Sequence, residues 1–130
     1  MTRFRWGAAT DVGRVRNANQ DAYFAAEGFF VVADGMGGHR GGEVASSVAV
    51  ESLTASLPVL SPEELLGAIQ QSNREVYWRS VDEPALRGMG TTMCVLAAVL
   101  DSDDPTRVLA NIGDSRIYRF AAGALELMTE

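Results

Sequence analysis

An α+β fold built on antiparallel sheet is what this sequence predicts, and three observations predict it. Strand patterns crowd the two ends of the chain, two helical patterns sit together between them, and tight turns join most of the strands. Strands and helices that cluster, rather than alternate, argue against a parallel β-α-β winding. A chain of 130 residues suits one domain. That length buries a core without disulfide or metal staples.

Phe4, Trp6 and Ala8 alternate with Arg3, Arg5 and Gly7, which is a strand pattern. Thr10 to Asp21 is polar and rich in Asn, Gly and Arg, so it reads as a loop. Ala22–Ala26 and Phe29–Ala33 are short apolar runs split by Glu27-Gly28, as in a hairpin. The second run stops at Asp34, and residues 34–42 hold five glycines in nine positions, too many for regular structure. Val44, Val48, Leu53 and Leu57 then recur near helical spacing.

Ser61, Pro62 and Glu64 read as N-cap, first helical residue and capping-box acid of a second helix. Leu65, Leu66, Ile69, Val76 and Tyr77 supply its apolar face, and it ends before Asp82-Glu83-Pro84. Thr92–Leu100 is nearly all apolar, the pattern of a strand buried on both faces. Asp101–Pro105 turns it back into Arg107–Ile112. Gly113-Asp114-Ser115 turns again into Arg116–Phe120, and Ala122-Gly123 into Leu125–Met128.

Composition excludes several functions. Eleven basic against seventeen acidic residues leave a net charge of −6, the wrong sign for gripping a nucleic-acid backbone. An acidic chain handles phosphate only by recruiting cations locally, and a bound metal ion is the most economical one. The lone Cys94 forms no disulfide within the chain and no thiolate zinc cluster. Its apolar setting marks it as a small core residue. One histidine, His39, builds no histidine zinc site. The glycine loop lacks the Gly-Lys-Ser/Thr of a phosphate-binding P-loop and the Gly-x-Gly-x-x-Gly of a dinucleotide site. No apolar stretch reaches signal-peptide or membrane-span length, so the cytoplasm is the default compartment.

Asp34 is the most informative residue. It follows an apolar strand and precedes Gly35, whose backbone carbonyl can approach a ligand closely. A carboxylate on a rigid strand end beside such a carbonyl offers hard oxygen donors, suited to magnesium or manganese. The competing reading is a turn Asp beside turn glycines. Asp21 and Asp114 sit at two further loop–strand junctions, so three carboxylates meeting on one side of a sheet is the expectation. Arg16 is the phosphate candidate, because guanidinium grips phosphate oxygens in a bidentate way. Its competing reading is a solvated surface arginine. Asp101–Asp104 lacks the glycine and closing glutamate of a calcium loop and reads as a hairpin turn.

Four segments in order resemble the signatures of the PPM family of protein phosphatases, also called PP2C-type, and its bacterial members most closely. They are Arg16-Asn17-Ala18-Asn19-Gln20-Asp21, Asp34-Gly35-Met36-Gly37-Gly38-His39, Gly88-Met89-Gly90-Thr91-Thr92 and Asn111-Ile112-Gly113-Asp114-Ser115-Arg116. The resemblance implies a sandwich of two antiparallel β-sheets flanked by α-helices, of which residues 1–130 are the N-terminal portion of a single domain. It implies a serine/threonine phosphoprotein phosphatase acting on the products of a Ser/Thr kinase. Metal-activated water would attack the phosphomonoester, with no phosphoenzyme.

It also implies roles. Asp34 and the Gly35 carbonyl hold two manganese or magnesium ions, Asp21 supports them, and Arg16 binds the substrate phosphate. Asp114 belongs to a third, weaker metal site. Many eukaryotic relatives carry a proposed general-acid histidine where this chain has Met36, and His39 does not inherit that role. Further metal-binding aspartates are expected beyond Glu130. The alternative is an inactive copy that binds phosphoproteins or regulates. Charge and the short apolar runs imply no nucleic-acid partner and no membrane segment in these residues.

Overall fold

The computed structural model describes residues 4–99 and 106–130. The predicted Asp101–Pro105 turn and Leu100 lie outside those residues. Strands β1 (Asp21–Ala26) and β2 (Phe29–Met36) form the expected hairpin about Glu27-Gly28, where Gly28 takes a φ of 81° that a side chain rarely tolerates. Two helices follow, α1 (Gly41–Ala55) and α2 (Pro62–Asp82), then a 3-10 turn at Pro84–Leu86. The chain ends in β3 (Gly90–Thr91), β4 (Met93–Val99), β5 (Thr106–Ile112), β6 (Tyr118–Ala121) and β7 (Ala124–Leu127).

All pairing is antiparallel. The main sheet runs β1-β2-β4-β5, with β3 joining β2 beyond Ala33, and β6-β7 is a separate hairpin. Both helices pack on one face of the main sheet. Phe29, Val31, Ala33, Val95, Ala97 and Val99 point into that layer and are buried beneath Ala45, Ala49, Leu53 and Leu65. Each fully buried Leu or Val there contributes about 1.5–3 kcal/mol of hydrophobic stabilisation.

Several expectations are corrected. Phe4, Trp6 and Ala8 form no strand among the described residues, because no neighbouring strand takes up their backbone groups. The rings of Phe4 and Trp6 instead lie against Phe30, at 5.5 and 5.7 Å between centroids. Strand β2 does not stop at Asp34 but runs on to Met36, since β3 offers Gly35 and Met36 partners in Thr91 and Gly90. The glycine-rich segment is therefore partly regular: its first three residues are strand, and Gly41 and Gly42 already belong to α1.

On α1 the buried stripe is Ala45, Ala49, Val50 and Leu53, with Val44 and Val48 at its margin and Leu57 beyond the helix end. Small alanines let the helix sit close to the sheet, which turns the face by about one residue from the predicted one. On α2, Leu65, Ile69 and Val76 are buried, but Leu66 and Tyr77 are 57% and 59% exposed. The Ser61 hydroxyl accepts from the Glu64 N–H at 3.1 Å, as a capping box requires. The Glu64 carboxylate reaches one residue further back than expected and accepts from the Leu60 N–H at 2.7 Å. The Ser72 hydroxyl donates to the Ala49 carbonyl at 2.8 Å, tying the two helices together.

Candidate functional site

Register decides what meets at the site. Counting back along the β1-β2 hairpin from Ala26 opposite Phe29 brings Asp21 opposite Asp34. The Gly35 N–H donates to the Gln20 carbonyl at 2.9 Å, so Asp21 and Asp34 form the adjacent non-hydrogen-bonded pair. Side chains of such pairs stand closest, with Cα atoms about 4.5 Å apart. The facing Asp34 carboxylate is close enough to act on the Asp21 carboxyl electrostatically. Like charges directly opposite on a sheet destabilise it.

Burial, then the Asp34 charge, then the hydrogen bond with Asp34 raise the Asp21 carboxyl above its ordinary value; the Arg16 guanidinium pulls it back down. Arg16, Asp21 and Asp34 line one polar cavity of about 220 Å3 together with Asp11, Asn19 and Gln20. The Arg16 guanidinium donates to Gln20 Oε1, which holds it over the cavity. The loop is braced from within: Asn19 Nδ2 donates to Thr10 Oγ1 at 2.8 Å, and the Asp21 N–H donates to Asn19 Oδ1 at 3.0 Å.

Gly35 and Gly42 explain how a helix can begin against this strand. A Cβ on Gly35 would stand 1.8 Å from the Gly42 carbonyl oxygen, so only glycine fits. The same contact puts the N-terminus of α1 beside Gly35, one residue from Asp34.

Of the predicted site residues, the structure brings Arg16, Asp21, Asp34 and Gly35 together and leaves Asp114 outside the cavity. The expected meeting of three carboxylates at three turns is not seen: among the described residues no three His, Cys, Asp or Glu side chains are placed to share an ion. Asp114 is linked only indirectly. Its neighbour Ser115 shares a hydrogen bond of 2.6 Å with Thr92, whose hydroxyl accepts from the Asp34 N–H at 3.1 Å. Asp11, Gln20, Thr92 and Ser115 escape a sequence reading as site residues. Asp11 looks like a turn former and does accept from the Gly13 N–H at 2.7 Å. Thr92 meets Asp34 only through sheet pairing.

The sheet thus gathers the paired carboxylates and Arg16 around one polar cavity. Residues 13–130 match the family protein phosphatase 2C, and the chain belongs to that family. The serine/threonine phosphatase stp of Listeria monocytogenes is 40% identical over 134 residues, which cover 93% of this chain and 52% of that protein. The crystal structure of the Mycobacterium tuberculosis serine/threonine phosphatase PstP/Ppp superposes with a TM-score of 0.89 at 32% identity, covering 99% of this chain and 55% of that one. The catalytic domain of PstP in complex with two manganese ions gives 0.87 at 33% identity, covering 98% and 55%. The chain thus spans about half the length of these relatives. Among the described residues no helix is long and apolar enough to cross a membrane.

Proposed function

We propose that residues 1–130 are the N-terminal portion of one phosphatase domain, which releases phosphate from phosphoserine and phosphothreonine in proteins. The observation that carries this reading is the Asp21–Asp34 pair with Arg16 in the same cavity. Two facing carboxylates relieve their repulsion by taking up a proton or a cation, and Arg16, which already offsets part of the Asp21 charge, is also placed to meet an anionic phosphate.

The donor set fits manganese or magnesium, since it consists of oxygens alone. Asp34, the Gly35 carbonyl and Asp21 would hold two such ions, as the manganese-bound relative supports, and Asp114 would serve a third and weaker one. When bound, the ions supply Lewis acidity and a water acidic enough to attack phosphorus. Arg16 grips the phosphoryl oxygens and exchanges its Gln20 partner for them. Among the described residues that line the cavity there is no Ser, Cys or His, which suits direct attack by water. The substrates are products of a serine/threonine kinase, and the setting is the cytoplasm where such kinases work.

Hydrolysis of p-nitrophenyl phosphate by the chain, with and without manganese and beside Asp34→Asn, tests this. Turnover that needs manganese and disappears in the variant supports it. A folded chain that hydrolyses nothing with manganese bound would make these 130 residues an inactive fragment or a phosphoprotein-binding module and move the activity to a longer chain.

A further inference from the structure

The edge that β3 and β4 present to β2 is interrupted at one residue, Thr92, and the residue opposite it is Asp34. On either side the register is the same, with Val32 opposite Cys94 and Gly35 opposite Thr91, so Asp34 stands opposite Thr92. Half of the expected ladder is intact: the Thr92 N–H donates to the Asp34 carbonyl at 2.9 Å. The other half is replaced. The Asp34 N–H donates to the Thr92 hydroxyl at 3.1 Å instead of the Thr92 carbonyl, and that carbonyl accepts from the Thr91 hydroxyl at 2.8 Å.

A side chain has thus taken a backbone group's place beneath the site carboxylate. That side chain is itself held from two directions. Its hydroxyl shares a 2.6 Å hydrogen bond with Ser115 Oγ. Its methyl lies against Gly113, where an added Cβ would come within 2.8 Å of Thr92 Cγ2. Gly113 and Ser115 flank Asp114. The turn after β5 therefore clasps Thr92, and Thr92 holds the peptide of Asp34.

We propose that Thr92 is a positioning residue for Asp34, locked by Ser115, and that it ties the Gly113–Ser115 turn to the metal-binding carboxylates. The inference rests on the metal reading given above and adds a coupling that the cavity alone does not contain. A backbone carbonyl would hold the Asp34 N–H without regard to the turn. A hydroxyl shared with Ser115 makes the angle of Asp34 depend on where that turn sits. Supporting groups of this kind around a metal ligand are typically worth about 10–100-fold in metal affinity when removed.

Two readouts test it on the full chain. Amide hydrogen exchange in chelator is measured residue by residue for the parent, Thr92→Val, Thr92→Ser and Ser115→Ala. Manganese binding is then measured by calorimetry for the same set. Thr92→Val keeps the shape and loses the hydroxyl; Thr92→Ser restores the hydroxyl and serves as the rescue. The expected result is faster exchange at the Asp34 amide in Thr92→Val and Ser115→Ala, unchanged exchange at Val31 and Val95, and about tenfold or greater loss of manganese affinity. Thr92→Ser should stay near the parent on both counts. The double variant Thr92→Val/Ser115→Ala should lose no more than the worse single, because the two act as one unit.

Unchanged exchange at Asp34 in Thr92→Val and Ser115→Ala overturns the proposal. So does altered exchange with parent-like manganese affinity, which would make the contact merely structural. A parent that takes up no manganese sinks the metal reading itself, and the positioning role goes with it. If Thr92→Val does not fold, Ser115→Ala and Thr92→Ser decide by the same two measurements.

Discussion

Asp21 and Asp34 are cross-strand neighbours at the open end of the β1-β2 hairpin, in the pair geometry that brings side chains closest. A strand pair that put two carboxylates there for stability alone would be poorly built, since like charges opposite one another cost roughly 0.2–1 kcal/mol. The pair therefore predicts opposite responses in two states. Without metal, Asp21→Asn is expected to stabilise the fold by roughly 0.2–1 kcal/mol by removing the repulsion. With manganese, the parent gains stability through ligand linkage and the variant gains little. Thermal melts of both chains in chelator and in manganese check this; a parent whose melting is indifferent to manganese would refute it.

The pH dependence has a definite sign. Burial and the facing Asp34 raise the Asp21 carboxyl above its ordinary value of 3.8, so the folded chain holds that proton more tightly than the unfolded chain. Its contribution to stability is full below the ordinary value and is lost as pH rises through the raised one. In chelator, the parent should lose stability relative to Asp21→Asn as pH climbs from about 4 toward neutrality. Urea titrations of both chains across that range measure the difference. A difference that grows toward acid instead would contradict the assignment.

Much of this was legible in residue order, and the failures have physical causes. Asp34 stands out because an apolar run meets a charged residue and then glycine. Its pairing with Asp21 follows from the turn at Glu27-Gly28, since hairpin register counts outward from the turn. What hides is anything set by distant pairing. The extension of β2 to Met36 depends on β3, more than fifty residues later, and the role of Thr92 depends on the same meeting. Phe4 and Trp6 show the converse: alternation marks a strand only where a neighbour takes the backbone hydrogen bonds. Asp114 looked equivalent to Asp21 and Asp34 at a strand junction, but the turn after β5 sets its neighbours Gly113 and Ser115 against Thr92 and leaves Asp114 out of the cavity.

Gly35 carries a sharp packing prediction. Its Cα faces the backbone of Gly42, and a Cβ would sit 1.8 Å from the Gly42 carbonyl oxygen and 2.9 Å from that of Gln20. Neither neighbour is a flexible side chain that can swing away. Gly35→Ala should therefore cost about 3 kcal/mol or more, beyond ordinary overpacking, by prising α1 from β2. Gly38→Ala is the control, as nothing lies within 4 Å of its added Cβ. It should stay within about 0.5 kcal/mol of the parent. Equal denaturation midpoints for the two variants would mean the helix and strand part more easily than their contact implies.

Arg16 predicts a distinction between charge and shape. It reaches Gln20 now, and a phosphate in the cavity would take that guanidinium with two parallel bonds. Lysine keeps the charge and loses the fork. Arg16→Lys should weaken inorganic phosphate binding to the manganese-loaded chain by about tenfold, or about 1.4 kcal/mol, with manganese affinity little changed. Calorimetric titration of phosphate measures it. Equal phosphate affinity in the two chains would reduce Arg16 to a screening charge.

The sheet face turned away from the helices makes the last prediction. Tyr23 and Val32 sit opposite each other across β1 and β2 and are 45% and 53% exposed. They line a cavity of about 660 Å3 that also takes in Phe30, Leu96, Ile117 and Tyr118. Apolar side chains in this density are expensive to keep in water, and β1 and β5 leave edges able to pair with another chain. A chain of these 130 residues should therefore self-associate as its concentration rises. Sedimentation equilibrium would show an increasing mass, and Val32→Lys should hold the chain monomeric, because a buried lysine at the contact would have no partner. A parent that stays monomeric at every concentration would show that Phe4, Trp6 and the β6-β7 hairpin already close the face well enough.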